Sequence, residues 1–90
     1  MGYRLEPVFS PNAEVDLDAM DATLRKMFLQ HAEKLSKMPP RRHLKFGLPH
    51  FVENVTKQAR MVYDVEGETL FVLRCFPTHK EYEKWYLRFK

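Results

Sequence analysis

Arg60, His79, Lys80 and Tyr82 combine a permanent cation, a titratable imidazole, an ammonium and a phenol. Gathered around a helix N-terminus, such a set can hold a phosphodiester, stabilise the charge that develops on it and move protons without a metal. The sequence provides the helix start: Thr78, followed three residues later by Glu81, is a capping box. His79 and Lys80 then occupy the first helical positions, where unpaired backbone N–H groups favour an anion. A hairpin supplies the fourth member, because a strand over 69–76 running back along one over 59–65 emerges where Arg60 begins its strand.

Further basic residues extend this surface. Arg41, Arg42, His43 and Lys45 form a run in a loop around Gly47, which suits either a solvated loop or a grip on an RNA backbone. With Lys57 and Arg74 they make up the candidate RNA-contacting set. Cys75, His79, His43 and His50 show no CxxC or HxxxH spacing, so no metal is expected. The absence of a Walker loop or dinucleotide fingerprint likewise implies no cofactor. His31 falls on an apolar helix stripe and reads as a histidine at the edge of the core.

The elements that must position these residues follow from periodicity. Alternation over 3–9 predicts a short strand with Pro7 near an edge. Ser10 caps a helix that begins at Pro11, with Glu14, Asp16 and Asp18 near its positive end. Asp21 offers a second start, and Leu17, Met20, Leu24, Met27, Phe28, His31, Leu35 and Met38 keep helical spacing, giving one long or two short helices that end before Pro39 and Pro40. Runs over 51–55, 59–65 and 69–76, rich in β-branched and aromatic residues, predict three antiparallel strands, with Glu66 and Gly67 in a tight turn. On the C-terminal helix Tyr82, Trp85, Tyr86 and Phe89 share one face, read as core or protein-contact surface, with base stacking as the lesser alternative. The fold class is α+β, with the sheet covered on one face.

Ninety residues suit a single domain spanning 1–90 with a thin core. One cysteine excludes an internal disulfide framework and fits a reducing compartment, so a cytoplasmic location is expected. No run approaches a membrane span and 1–9 lacks a signal-peptide apolar stretch. The charge is uneven: residues 1–36 hold four basic and six acidic side chains, whereas 37–90 hold eleven basic and six acidic. The C-terminal portion therefore favours a polyanionic partner such as RNA.

From Leu44 onward the sequence resembles the RelE/ParE superfamily of toxins from toxin–antitoxin systems, through LKFGLP before the sheet, ARMVYDVEGETLFVLRCF in the hairpin and HKEY after it. The N-terminal strand and helices suit the same family. The resemblance implies a RelE-like fold, a cognate antitoxin as partner, and ribosome-dependent, metal-independent cleavage of mRNA that inhibits translation. Arg60 would stabilise the scissile phosphate, Lys80 would stand where relatives often carry an Arg, His79 would be a general acid or base, and Tyr82 would orient or stack. Where active RelE-like enzymes carry basic residues on the second strand, this chain has Glu53. Glu53, His43 and Lys45 therefore compete as general base, the carboxylate having a parallel in YoeB-like enzymes. ParE-like members instead inhibit DNA gyrase, and a catalytically inactive, antitoxin-binding form of the fold is a third alternative.

Overall fold

The structure, a computed structural model, describes residues 4–37 and 50–88. Its elements run β1 (Glu6–Phe9), α1 (Pro11–Asp18), α2 (Ala22–Ser36), β2 (Phe51–Asn54), β3 (Arg60–Glu66), β4 (Thr69–Phe76) and α3 (His79–Leu87). The chain is α+β as expected, and the helical region is two helices. The kink between them is fixed by Arg25, whose Nε donates to Leu17 O and whose Nη2 donates to Met20 O, both at 3.0 Å. These contacts satisfy carbonyls that the end of α1 leaves without helical partners. Ser10 caps α1 as its position implied, accepting from Ala13 N at 3.1 Å while donating to Leu73 O at 2.8 Å.

The sheet has four strands in the order β1-β4-β3-β2. The β2–β3 and β3–β4 pairs are antiparallel, in line with the sequence reading, but β1 joins the edge in parallel with β4, making the sheet mixed. A parallel partner is invisible to local pattern, since it depends on where two helices return the chain. The β3–β4 turn uses Gly67 at φ +59°, a left-handed conformation that glycine enters without a Cβ clash.

A second departure concerns the covering of the sheet. Met61, Tyr63, Leu70, Val72 and Cys75 pack with Leu17, Phe28 and Ala32 of α1 and α2. Val52, Val62 and Phe76 form a separate core on the opposite face with Tyr82 and Tyr86 of α3. Both faces therefore carry helices, where a single covered face was expected. The register explains how one strand serves both. Val62 pairs with Arg74 and Tyr63 with Val72, leaving Leu73 as an extra residue in a bulge. That residue resets the alternation, so Cys75 faces α1 and α2 while Phe76 faces α3.

Beyond Phe9, the edge of β4 away from β3 has no strand beside it among the described residues, and α1 covers the gap. Asp16 Oδ2 accepts from Cys75 N at 2.9 Å and from Arg74 Nε at 2.7 Å, and Oδ1 accepts from Arg74 Nη2 at 3.1 Å. One carboxylate thus satisfies a strand-edge amide and fixes a guanidinium. No helix among the described residues is long and apolar enough to cross a membrane.

Candidate functional site

The candidate site lies where β3 begins and α3 starts. Arg60 pairs with Phe76 across the hairpin, two residues before the cap of α3. Thr78 accepts from Glu81 N at 3.2 Å, as the capping pattern requires. The Glu81 carboxylate lies 3.4 Å from the Thr78 hydroxyl, a side-chain contact in place of the reciprocal bond to the cap's backbone. His79 and Lys80 open the first turn; His79 is half-buried, Lys80 is exposed, and His79 Nδ1 stands 3.7 Å from Glu83 Oε1.

Arg60 and Tyr82 are placed differently from the sequence expectation. Arg60 is only 9% exposed. Its Nη1 donates to the carbonyls of Thr56, Lys57 and Ala59 at 3.3, 3.2 and 3.1 Å, closing the turn between β2 and β3. Thr56 tightens the same turn by accepting from Gln58 N and Ala59 N. The Nε of Arg60 is buried without a hydrogen-bond partner among the described residues, and so is the hydroxyl of Tyr82. Tyr82 is fully buried, in ring contact with Phe76 at 6.0 Å and Tyr86 at 5.0 Å, so its faces offer no stacking surface. Burial raises its phenol pKa and Tyr86 adds to the rise, while the positive charge of Arg60 opposes it. Both residues adjoin Phe76, Arg60 as its partner across the hairpin and Tyr82 through its ring.

The proposed base Glu53 is corrected by parity. Asn54 pairs with Arg60 and Glu53 with Met61, so the Glu53 side chain emerges on the face of α1 and α2, opposite to α3. There its Oε2 lies 3.5 Å from Nδ1 of His31, which sits at the edge of the core as its stripe position suggested. Arg41, Arg42, His43 and Lys45, including the two other candidate bases, lie outside the described residues. Lys57 is exposed at the β2–β3 turn. Arg74 is committed to Asp16, which raises its pKa by hydrogen bonding against the opposing effect of burial.

Sequence reasoning did not single out two features of the α3 face. His50 Nδ1 donates to Asp64, 3.0 Å from each carboxylate oxygen, and the His50 ring lies 6.4 Å from that of Trp85. A groove beside α3 is lined by Arg74, Phe76, Glu81, Lys84, Trp85 and Arg88. The signal for the groove was present as helical spacing, since Lys84, Trp85 and Arg88 share one flank of a helix. The His50–Asp64 contact depends on strand register and has no local signature.

No protein-family model matches this chain, and no curated protein is similar to it in sequence. Its fold is nevertheless shared with solved structures. A YoeB/ParE toxin from Agrobacterium tumefaciens superposes with a TM-score of 0.67 at 19% identity, covering 80% of this chain and 96% of that one. In the toxin–antitoxin complex RelBE2 from Mycobacterium tuberculosis the figures are 0.64 and 21%, covering 81% and 96%. For the YoeB dimer from Staphylococcus aureus they are 0.63 and 20%, covering 81% and 95%. This chain therefore shares the fold of these toxins.

Proposed function

We propose that this chain is the toxin of a toxin–antitoxin pair and acts as a metal-independent endoribonuclease on mRNA at the ribosome. The observation that carries the reading is the fold shared along almost the full length of YoeB and RelE-type toxins. The RelBE2 structure is a complex of toxin with antitoxin, which supports a protein antitoxin as partner here.

In the proposed reaction the scissile phosphate docks against the first turn of α3, where free backbone N–H groups and Lys80 meet its charge. The ribose 2′-oxygen attacks phosphorus, the bond to the 5′-oxygen breaks, and a cyclic phosphate and a 5′-hydroxyl result. His79 is the imidazole at this turn, suited to transfer a proton to the leaving oxygen. Arg60, held by the carbonyls of the β2–β3 turn, contributes a fixed positive charge at the same end of the sheet. The proton of the 2′-hydroxyl goes to a base outside this turn, for which His43 and Lys45 remain the candidates once Glu53 is set aside.

Inducing the chain in growing cells and mapping mRNA 5′ ends tests the reading. The expected result is translational arrest with cuts inside codons on ribosomes. Intact mRNA with stalled DNA gyrase would establish ParE-like action instead, and a folded chain with no effect on growth would indicate an inactive form of the fold. His79→Ala should flatten the pH dependence of single-turnover cleavage, because it removes the group proposed to transfer the proton.

A further inference from the structure

We propose that Glu83 is a positioning residue for His79: its carboxylate accepts the Nδ1 proton of the imidazole and leaves Nε2 as the nitrogen that gives its proton to the leaving oxygen. The inference rests on the endoribonuclease reading above, in which His79 protonates the 5′-oxygen, and assigns that transfer to one nitrogen.

His79 and Glu83 stand four residues apart on α3, neighbours on one helix face, with Nδ1 3.7 Å from Oε1. That separation is an ion-pair distance, and catalytic contacts commonly tighten into hydrogen bonds only when substrate is in place. The ring also rests against a fixed neighbour: Tyr82, fully buried, lies 5.9 Å away between ring centroids, with the planes inclined by 52°. Nε2 of His79 has no hydrogen-bond partner among the described residues, so one nitrogen is engaged and the other is available. In an imidazole, the hydrogen bond made by one nitrogen decides which of the two carries the proton of the neutral ring. With Nδ1–H on Glu83, the doubly protonated ring gives up its Nε2 proton to the 5′-oxygen as the bond from phosphorus breaks. The neutral ring that remains keeps Nδ1–H, and the carboxylate stays ionised throughout.

Neither RNA affinity nor helix stability accounts for a carboxylate at this place. Its charge repels the phosphate that Lys80 attracts. Lys80, three residues before Glu83, is exposed and makes no ion pair among the described residues, and the position four residues after it is Leu87. The shorter His50–Asp64 contact cannot serve the same phosphate. Asp64 lies four residues along β3 from Arg60, about 14 Å at the rise of an extended strand, toward the Gly67 turn and away from the start of α3.

Two measurements on the intact protein separate this role from the cleavage activity itself. Imidazole 15N shifts of His79, recorded in the neutral form of the ring, should show the Nδ1–H tautomer in the native chain. Glu83→Ala should convert it to Nε2–H, the form favoured by free histidine, and Glu83→Gln, whose amide oxygen also accepts, should keep Nδ1–H. In single-turnover cleavage on programmed ribosomes, Glu83→Ala should lower the rate at saturation roughly 2- to 5-fold, the range that an exposed ion pair carries. The half-saturating concentration should stay level or fall, because a charge that repels RNA has gone, and Glu83→Gln should regain most of the rate. In a His79→Ala background, Glu83→Ala should have no further effect, since it acts only through the imidazole. Circular dichroism checks that each variant is folded. An Nε2–H tautomer in the native chain, a tautomer unmoved by Glu83→Ala, or an additive loss in the double variant would overturn the proposal. Reduced cleavage in His79→Ala with none lost in Glu83→Ala would overturn it while leaving the acid role of His79 intact. Full cleavage by His79→Ala would overturn that role and this one together, and a chain that cuts no mRNA would end the endoribonuclease reading on which both stand.

Discussion

Arg60 is both a buried cation and a clamp on its own turn, and these two roles set what its removal does. With Nη1 shared by three carbonyls, Arg60→Ala removes charged hydrogen bonds and leaves the turn's acceptors without their donor. Hydrogen bonds to charged groups contribute about 1.5–3 kcal/mol, so a loss of that order is expected in urea unfolding. Any fall in cleavage by this variant must be read against that loss. The type and position of Arg60 in the sequence do not show that the chain folds its own carbonyls back onto the guanidinium. Cys75 offers a second residue-scale test. It is 1% exposed, and burial, with Asp16 adding and Arg74 opposing, pushes its thiol up to about 12 from an ordinary value near 9. The folded chain keeps this proton where the unfolded chain has lost it. The thiol's contribution to stability is thus complete below about pH 9 and lost as pH rises toward 12. Alkylation at pH 8 should proceed only at the rate of unfolding, and rapid labelling of the native protein would contradict the burial described.

At the scale of elements, the start of α3 is where sequence and structure agree most closely. Thr78 was legible as a cap because its side chain, its backbone and Glu81 act within four residues. Thr78→Ala should lower stability by about 1 kcal/mol, measured by thermal or urea unfolding, and should loosen the turn that presents His79 and Lys80. The hairpin was legible for the same reason, Gly67 supplying the positive φ of a tight turn. What escaped the sequence depends on register or on distant parts of the chain. The side of the sheet on which Glu53 emerges is set by the pairing of Asn54 with Arg60, which the turn from Val55 to Ala59 fixes and composition does not. Asp16 and Arg74 meet across 58 positions, and nothing local to either residue names the other. The placement of α3 on its own face follows from a bulge at Leu73, one extra residue among eight in β4. Local sequence therefore gave the position of His79 and Lys80 in the first turn of α3, but not the burial of Arg60 and Tyr82 or the face on which Glu53 emerges.

Considered whole, the molecule is a sheet between two helical layers, α1 and α2 on one face and α3 on the other. Single-transition urea unfolding is expected, with matching midpoints for tryptophan fluorescence, which reports the α3 face, and for Cys75 accessibility, which reports the α1–α2 face. Two separate midpoints would mean that the cores on the two faces melt independently. The parallel seating of β1 against β4 has a consequence for the order in which the molecule comes into being. Ser10 closes onto Leu73 across 63 positions, and the strand before it is joined to β4 over a similar span. Such closure must wait for the hairpin, because its loop-ordering cost precedes any contact that rewards it. During synthesis from the N-terminus, the first strand and both leading helices therefore emerge before the surface that will receive them exists. The apolar stripe of α2 stays uncovered until the last third of the chain has been made. A nascent chain of this protein is thus a target for chaperones or a pre-existing binding partner for most of its synthesis, and becomes self-contained only near the end.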